Sequence, residues 1–62
     1  MNHNKFDLKV GDTVILDKGY ANESKVTILE FTDKQLYAKI KPAEAITDTS
    51  WDVMTYRLKP II

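Results

Sequence analysis

Cysteine is absent from this 62-residue chain. That excludes disulfide staples and thiolate metal sites, two of the devices by which small domains offset a thin core. Histidine occurs once, at His3, too few for an imidazole-based metal cluster. There are two glycines and two prolines. They form neither a glycine-rich phosphate loop nor a Pro/Gly linker. An excess charge of either sign is also missing, since nine basic residues balance nine acidic ones. A general attraction to nucleic acid or to anionic membrane needs a basic excess. No apolar run approaches the ~20 residues that span a bilayer. The opening Met1-Asn2-His3-Asn4-Lys5-Phe6-Asp7-Leu8-Lys9 has no stretch of signal-peptide type, so the cytoplasm is the expected compartment. The sequon Asn22-Glu23-Ser24 carries no weight without export.

What is present fits one domain over residues 1–62, with 1–7 expected as a flexible N-terminal arm. A chain of this size buries only about 60% of its unfolded surface, so stability rests on packing, with or without a partner chain. Gly11 and Gly19 fall in the first third and Pro42 and Pro60 in the last. They cut the chain into the short pieces of an all-β domain.

A turn at Val10-Gly11-Asp12 leads into a first strand, Thr13 to Asp17, rich in β-branched residues. A polar loop from Lys18 to Glu23 carries Tyr20. The second strand runs from Ser24 to Thr32, with Val26 and Ile28 on one face and Thr27, Leu29 and Phe31 on the other. Apolar residues on both faces call for burial on both sides or for a bulge near Leu29 that shifts the register. Thr32-Asp33-Lys34 reads as the hairpin turn that follows.

Two stretches have both periods. Gln35 to Lys41 alternates, with Leu36, Ala38 and Ile40 against Gln35, Tyr37, Lys39 and Lys41, yet Leu36 and Ile40 also sit at helical spacing behind an Asp33 cap. Ser50 likewise could cap a helix with the face Trp51, Met54 and Leu58. Strands are expected for both. The intervening 42–49 reads as a loop, with at most one helical turn begun at Pro42. The expected core is Val14, Leu16, Val26, Ile28, Leu36, Ile40, Val53 and Leu58.

The order of these pieces resembles the Src homology 3-like small barrels of bacteria and their phages, KOW-type domains included. The likeness lies in Val10-Gly11-Asp12-Thr13-Val14, the polar loop, the Val-containing second strand, and Trp51-Asp52-Val53 running into Leu58-Lys59-Pro60-Ile61. It implies a five-stranded all-β barrel with one short turn of tight helix before the last strand. KOW motifs place a glycine at the start of the second strand, where this chain has Ser24-Lys25. The inference to RNA is weakened accordingly. Fold does not carry function with it.

No catalytic constellation is expected, because no nucleophile has a base beside it and the carboxylates are scattered or at turns. Nor is a cofactor or metal. The expectation is a non-catalytic binding module, an accessory protein of phage or mobile-element type. In a barrel of this kind Tyr20, Trp51, Tyr56 and Pro60 would share one aromatic groove for a protein partner. The bland alternative makes Trp51 a core residue on the face of Val53. A second class of function is nucleic-acid binding through Tyr37, Lys39, Lys41, Arg57 and Lys59, lysines interleaved with an aromatic. Its bland alternative is a solvated strand face. A third is a structural homo-oligomer joined through strand edges.

Overall fold

The structure is a computed structural model and describes residues 3–44, 46 and 48–61. It is all-β. Five strands, β1 (Thr13–Leu16), β2 (Ser24–Thr32), β3 (Tyr37–Pro42), β4 (Trp51–Met54) and β5 (Leu58–Pro60), form one antiparallel sheet in the order β4-β3-β2-β1-β5. A single 3₁₀ turn, Thr55–Arg57, joins β4 to β5. Among the described residues no helix is long and apolar enough to cross a membrane. Neither two-period stretch is α-helical: the first is strand from Tyr37 onward, and the second is strand on either side of that one turn.

The strand order dictates a curved sheet. In a flat sheet the edge strands β4 and β5 would stand about 19 Å apart, four spacings of about 4.8 Å. The turn between them rises only about 2 Å per residue. The two edges can be joined so briefly only if the sheet curls over its own inner face.

That inner face is apolar in cross-strand rows. One row runs Pro42–Val26–Val14–Pro60, and the next Trp51–Ile40, with Ile28 following on β2. Leu16 faces Leu58. Val14, Leu16, Val26, Ile28, Ile40 and Leu58 of these rows form the buried cluster with Leu8, Ala38 and Val53. Of the two solutions open to β2, the bulge is the one present. The β2–β3 register shifts between Ile28 and Glu30, so Leu29 is the extra residue. Phe31, which strict alternation would turn away from Ile28, thereby pairs with Ala38 and packs on the core. One residue out of step brings an odd-numbered side chain onto an even-numbered face.

Two expectations fail for local reasons. β3 begins at Tyr37 rather than Gln35, because the hairpin turn uses residues 33–36. Asp33, Lys34 and Gln35 all have positive φ, at 51°, 56° and 70°, a left-handed turn built without glycine. Leu36 closes it through its N–H, which donates to the Asp33 carbonyl at 3.0 Å. It is only half-buried as a result, and Ala38 takes the core position assigned to it.

The expected free arm is tied down from Asn4 onward, while Met1 and Asn2 lie outside the described residues. Asn4 is 3% exposed. Its side-chain amide accepts from the Leu8 N–H at 2.8 Å and donates to the Leu8 carbonyl at 2.7 Å. The amide thus substitutes for a strand neighbour and lets Leu8 enter the core without orphaning its backbone. Of the expected 42–49 loop, Pro42 belongs to β3, and Ala45 and Thr47 lie outside the described residues.

Candidate functional site

Asp17 is the centre from which the candidate site is built. It ends β1 with φ 54°, a left-handed conformation that Asp tolerates better than most residues. The Tyr20 N–H donates to its carbonyl at 3.0 Å, closing a turn whose third position is Gly19 at φ 91°. Positive φ at that position is what a type II turn requires. A second turn follows, with the Glu23 N–H on the Tyr20 carbonyl at 3.0 Å and the Gly19 N–H on Glu23 Oε1 at 2.8 Å. The 17–23 loop therefore holds its own shape and lifts Tyr20 clear of the sheet.

The Asp17 carboxylate reaches across to the 3₁₀ turn. Arg57 Nε donates to its Oδ1 at 2.9 Å, and Arg57 Nη2 to its Oδ2. Asn22 Nδ2 adds a third donor on Oδ2 at 2.8 Å. The Arg57 hydrogen bonds hold the Asp17 carboxyl below its usual range, against a smaller opposing effect of burial. Reciprocally, Asp17 raises the Arg57 pKa further. A bidentate guanidinium–carboxylate pair fixes orientation as well as charge. Here it ties the loop carrying Tyr20 to the turn carrying Tyr56.

The two tyrosines line one groove of about 270 Å³ together with the Asp17–Arg57 pair, Lys18 and Lys59. Tyr20 is 72% exposed and Tyr56 64%. The other members of the expected aromatic set lie elsewhere. Pro60 is on the inner-face row beside Val14. Trp51 pairs with Ile40, two residues from Val53 on the same face, and is 38% exposed at the end of the edge strand β4. Its place on the core face is the one the bland alternative gave it. Among the described residues β3 is the one strand that pairs with β4.

The expected basic set is not one patch. Tyr37, Lys39 and Lys41 do share the outer face of β3, but Lys39 stands opposite Glu30 and Asp52, 3.7 Å from the Glu30 carboxylate. Lys59 is three strands away, opposite Ile15 on β1. Arg57 is engaged by Asp17. Lys25 and Lys59 instead flank Ile15, which is buried although it points outward. Lysine stems commonly shelter such a residue.

Sequence reasoning missed the Asp17–Arg57 pair and the buried Asn4. Asp17 reads as a turn residue and Arg57 as part of a basic set, and 40 positions separate them. No local signal joins them. Searched against family models, curated proteins and solved structures, the chain finds no match in any of the three.

Proposed function

We propose that the chain is a small, non-catalytic binding module that recognises a protein partner through the Tyr20–Tyr56 groove. The observation that carries this reading is the pair of largely exposed tyrosines held on two tethered segments by the Asp17–Arg57 clamp. Tyrosine is enriched among the residues that dominate interface energies. Holding the groove in one shape before binding lowers the ordering cost of association. The sheet order and the 3₁₀ turn before the last strand support a Src homology 3-like barrel as the scaffold. The groove, not the scaffold, supports the function.

Affinity capture from a lysate of the source cells tests it, with Tyr20→Ala, Tyr56→Ala and the double charge reversal Lys39→Glu/Lys41→Glu as baits. A specific protein should be captured by the wild type and by the charge-reversed bait, with or without nuclease and with little loss as salt rises. Each tyrosine variant should weaken that capture by more than about 1 kcal/mol and leave the melting temperature nearly unchanged. Capture that vanishes with nuclease, falls steeply with salt and fails only in the charge-reversed bait would replace this reading with nucleic-acid binding.

A further inference from the structure

Four charged residues line the Tyr20–Tyr56 groove, Asp17, Lys18, Arg57 and Lys59, and they are not equally open to a partner. The Asp17 carboxylate accepts from Arg57 Nε, Arg57 Nη2 and Asn22 Nδ2, and its side chain is only 13% exposed. Two of those donors belong to one guanidinium, so the Arg57 charge is compensated in place. A partner's cation would have to displace that guanidinium, breaking one charged pair to make another. The Asp17 charge therefore serves the fold and not recognition.

Lys18 and Lys59 differ. Both are exposed, and among the described residues neither forms an ion pair. Lys18 sits on the self-supporting 17–23 loop, and Lys59 on β5 opposite Ile15. The other carboxylate of that loop, Glu23, accepts from the Gly19 N–H at 2.8 Å within the loop. What a partner meets is two tyrosine rings with two ammonium groups beside them.

We propose that the partner's segment in this groove is an acidic peptide, its apolar side chains on Tyr20 and Tyr56 and its carboxylates on Lys18 and Lys59. This rests on the protein-binding reading of the groove and adds the charge of what binds there. Opposite charges across an interface guide encounter and exclude wrong partners more than they add affinity. A basic peptide would bring like charges against both lysines. Two exposed ion pairs contribute modestly, without the steep salt dependence that counterion release gives a polyanion. Tracking a nucleic-acid backbone takes a longer run of cations than the two that line this groove beside the Asp17–Arg57 pair.

The test is selection of a random peptide library on the full chain, with Tyr20→Ala/Tyr56→Ala as the counter-selection bait. Peptides enriched on the wild type and not on that bait should carry net negative charge. For the strongest such peptide, replacing its acids by the matching amides should weaken binding about fivefold or more. Lys18→Gln/Lys59→Gln should weaken the parent peptide similarly and the amide version hardly further, as coupled partners do. Lys39→Gln/Lys41→Gln, the same charge change on β3, should leave binding as it is. Glutamine keeps much of the apolar stem beside Ile15, so the Lys18/Lys59 variant should melt as the wild type does.

Tyrosine-dependent peptides that are neutral or basic would overturn the proposal and leave the groove reading standing. So would an acid preference that survives Lys18→Gln/Lys59→Gln. No tyrosine-dependent enrichment would overturn the groove reading itself, and the proposal with it. An oligothymidine that binds more tightly than any selected peptide, and is lost in the same lysine variant, would assign the groove to nucleic acid instead.

Discussion

Arg57 grips Asp17 through two guanidinium nitrogens, each on its own carboxylate oxygen, and so joins the end of β1 to the turn that opens β5. The same two residues are bonded a second time through their backbones, the Asp17 N–H donating to the Arg57 carbonyl at 3.0 Å. The side-chain clamp thus sits on a contact the fold already makes.

The clamp gives stability a pH dependence of definite sign. The folded Asp17 carboxyl titrates below its ordinary 3.8, chiefly because Arg57 donates to the ionised form. The folded state therefore binds this proton less readily than the unfolded chain. Its contribution is present in full well above 3.8 and is lost as pH falls through the lower folded value. Thermal melts from neutral pH down to pH 2 should show the wild-type midpoint falling below about pH 4. In Asp17→Asn that part of the fall should be missing, from a lower starting midpoint. An equal fall in both proteins would remove Asp17 from the account.

The Thr55 hydroxyl, buried with no hydrogen-bond partner among the described residues, makes an unusual stability prediction. Thr55→Val replaces it with a methyl group of nearly the same shape and should stabilise the free protein by about 1 kcal/mol or more. Urea unfolding reads this directly. A loss of stability would show that the hydroxyl is satisfied.

Lys34 sits in the middle of the left-handed turn, at φ 56°. A non-glycine residue in that conformation costs about 1–2 kcal/mol, and glycine gives back about 0.5–1 kcal/mol in unfolded-chain entropy. Lys34→Gly should therefore raise stability by up to about 1.5 kcal/mol. Lys34→Val, β-branched in the same conformation, should lower it.

Ile28 is fully buried where the Trp51–Ile40 row reaches β2. Ile28→Ala should cost roughly 2–5 kcal/mol. A chain of this length has on the order of 3–9 kcal/mol in all. The variant should be partly unfolded at room temperature by circular dichroism, and a loss under about 1 kcal/mol would place Ile28 outside the core.

How far these features could be read from the sequence depends on how local their causes are. β2 was readable to its ends, bulge included, because apolar residues on both faces of a strand leave few physical solutions. The turn at Gly11-Asp12 was readable because glycine at φ 93° and a carboxylate bonded to the Lys9 N–H are chemistry within four residues. The next turn was readable at Asp33-Lys34 but not in its extension through Gln35 and Leu36, since a left-handed turn without glycine has no signature and Leu36 matches the alternation of the strand after it. For the candidate site, Tyr20 and Tyr56 were readable as exposed aromatics on a loop and a turn. Trp51 and Pro60 were misplaced, because which rows β4 and β5 extend depends on register across the whole sheet. The Asn4–Leu8 clasp was hidden by the usual looseness of chain ends.

The pairing of β1 with β5 reaches beyond the finished structure. Val14 lies opposite Pro60, so the first strand finds one of its two neighbours only near the far end of the described chain. Hairpins such as β2–β3 close quickly, because little chain entropy is lost in bringing their ends together. The β1–β5 contact must wait for nearly the entire length to be gathered. Topologies dominated by such distant pairings fold in milliseconds to seconds, not microseconds. Until the two strands meet, the β1 edge lies open with Val14 and Leu16 beside it. That interval is when the chain is most exposed to pairing with another copy of itself.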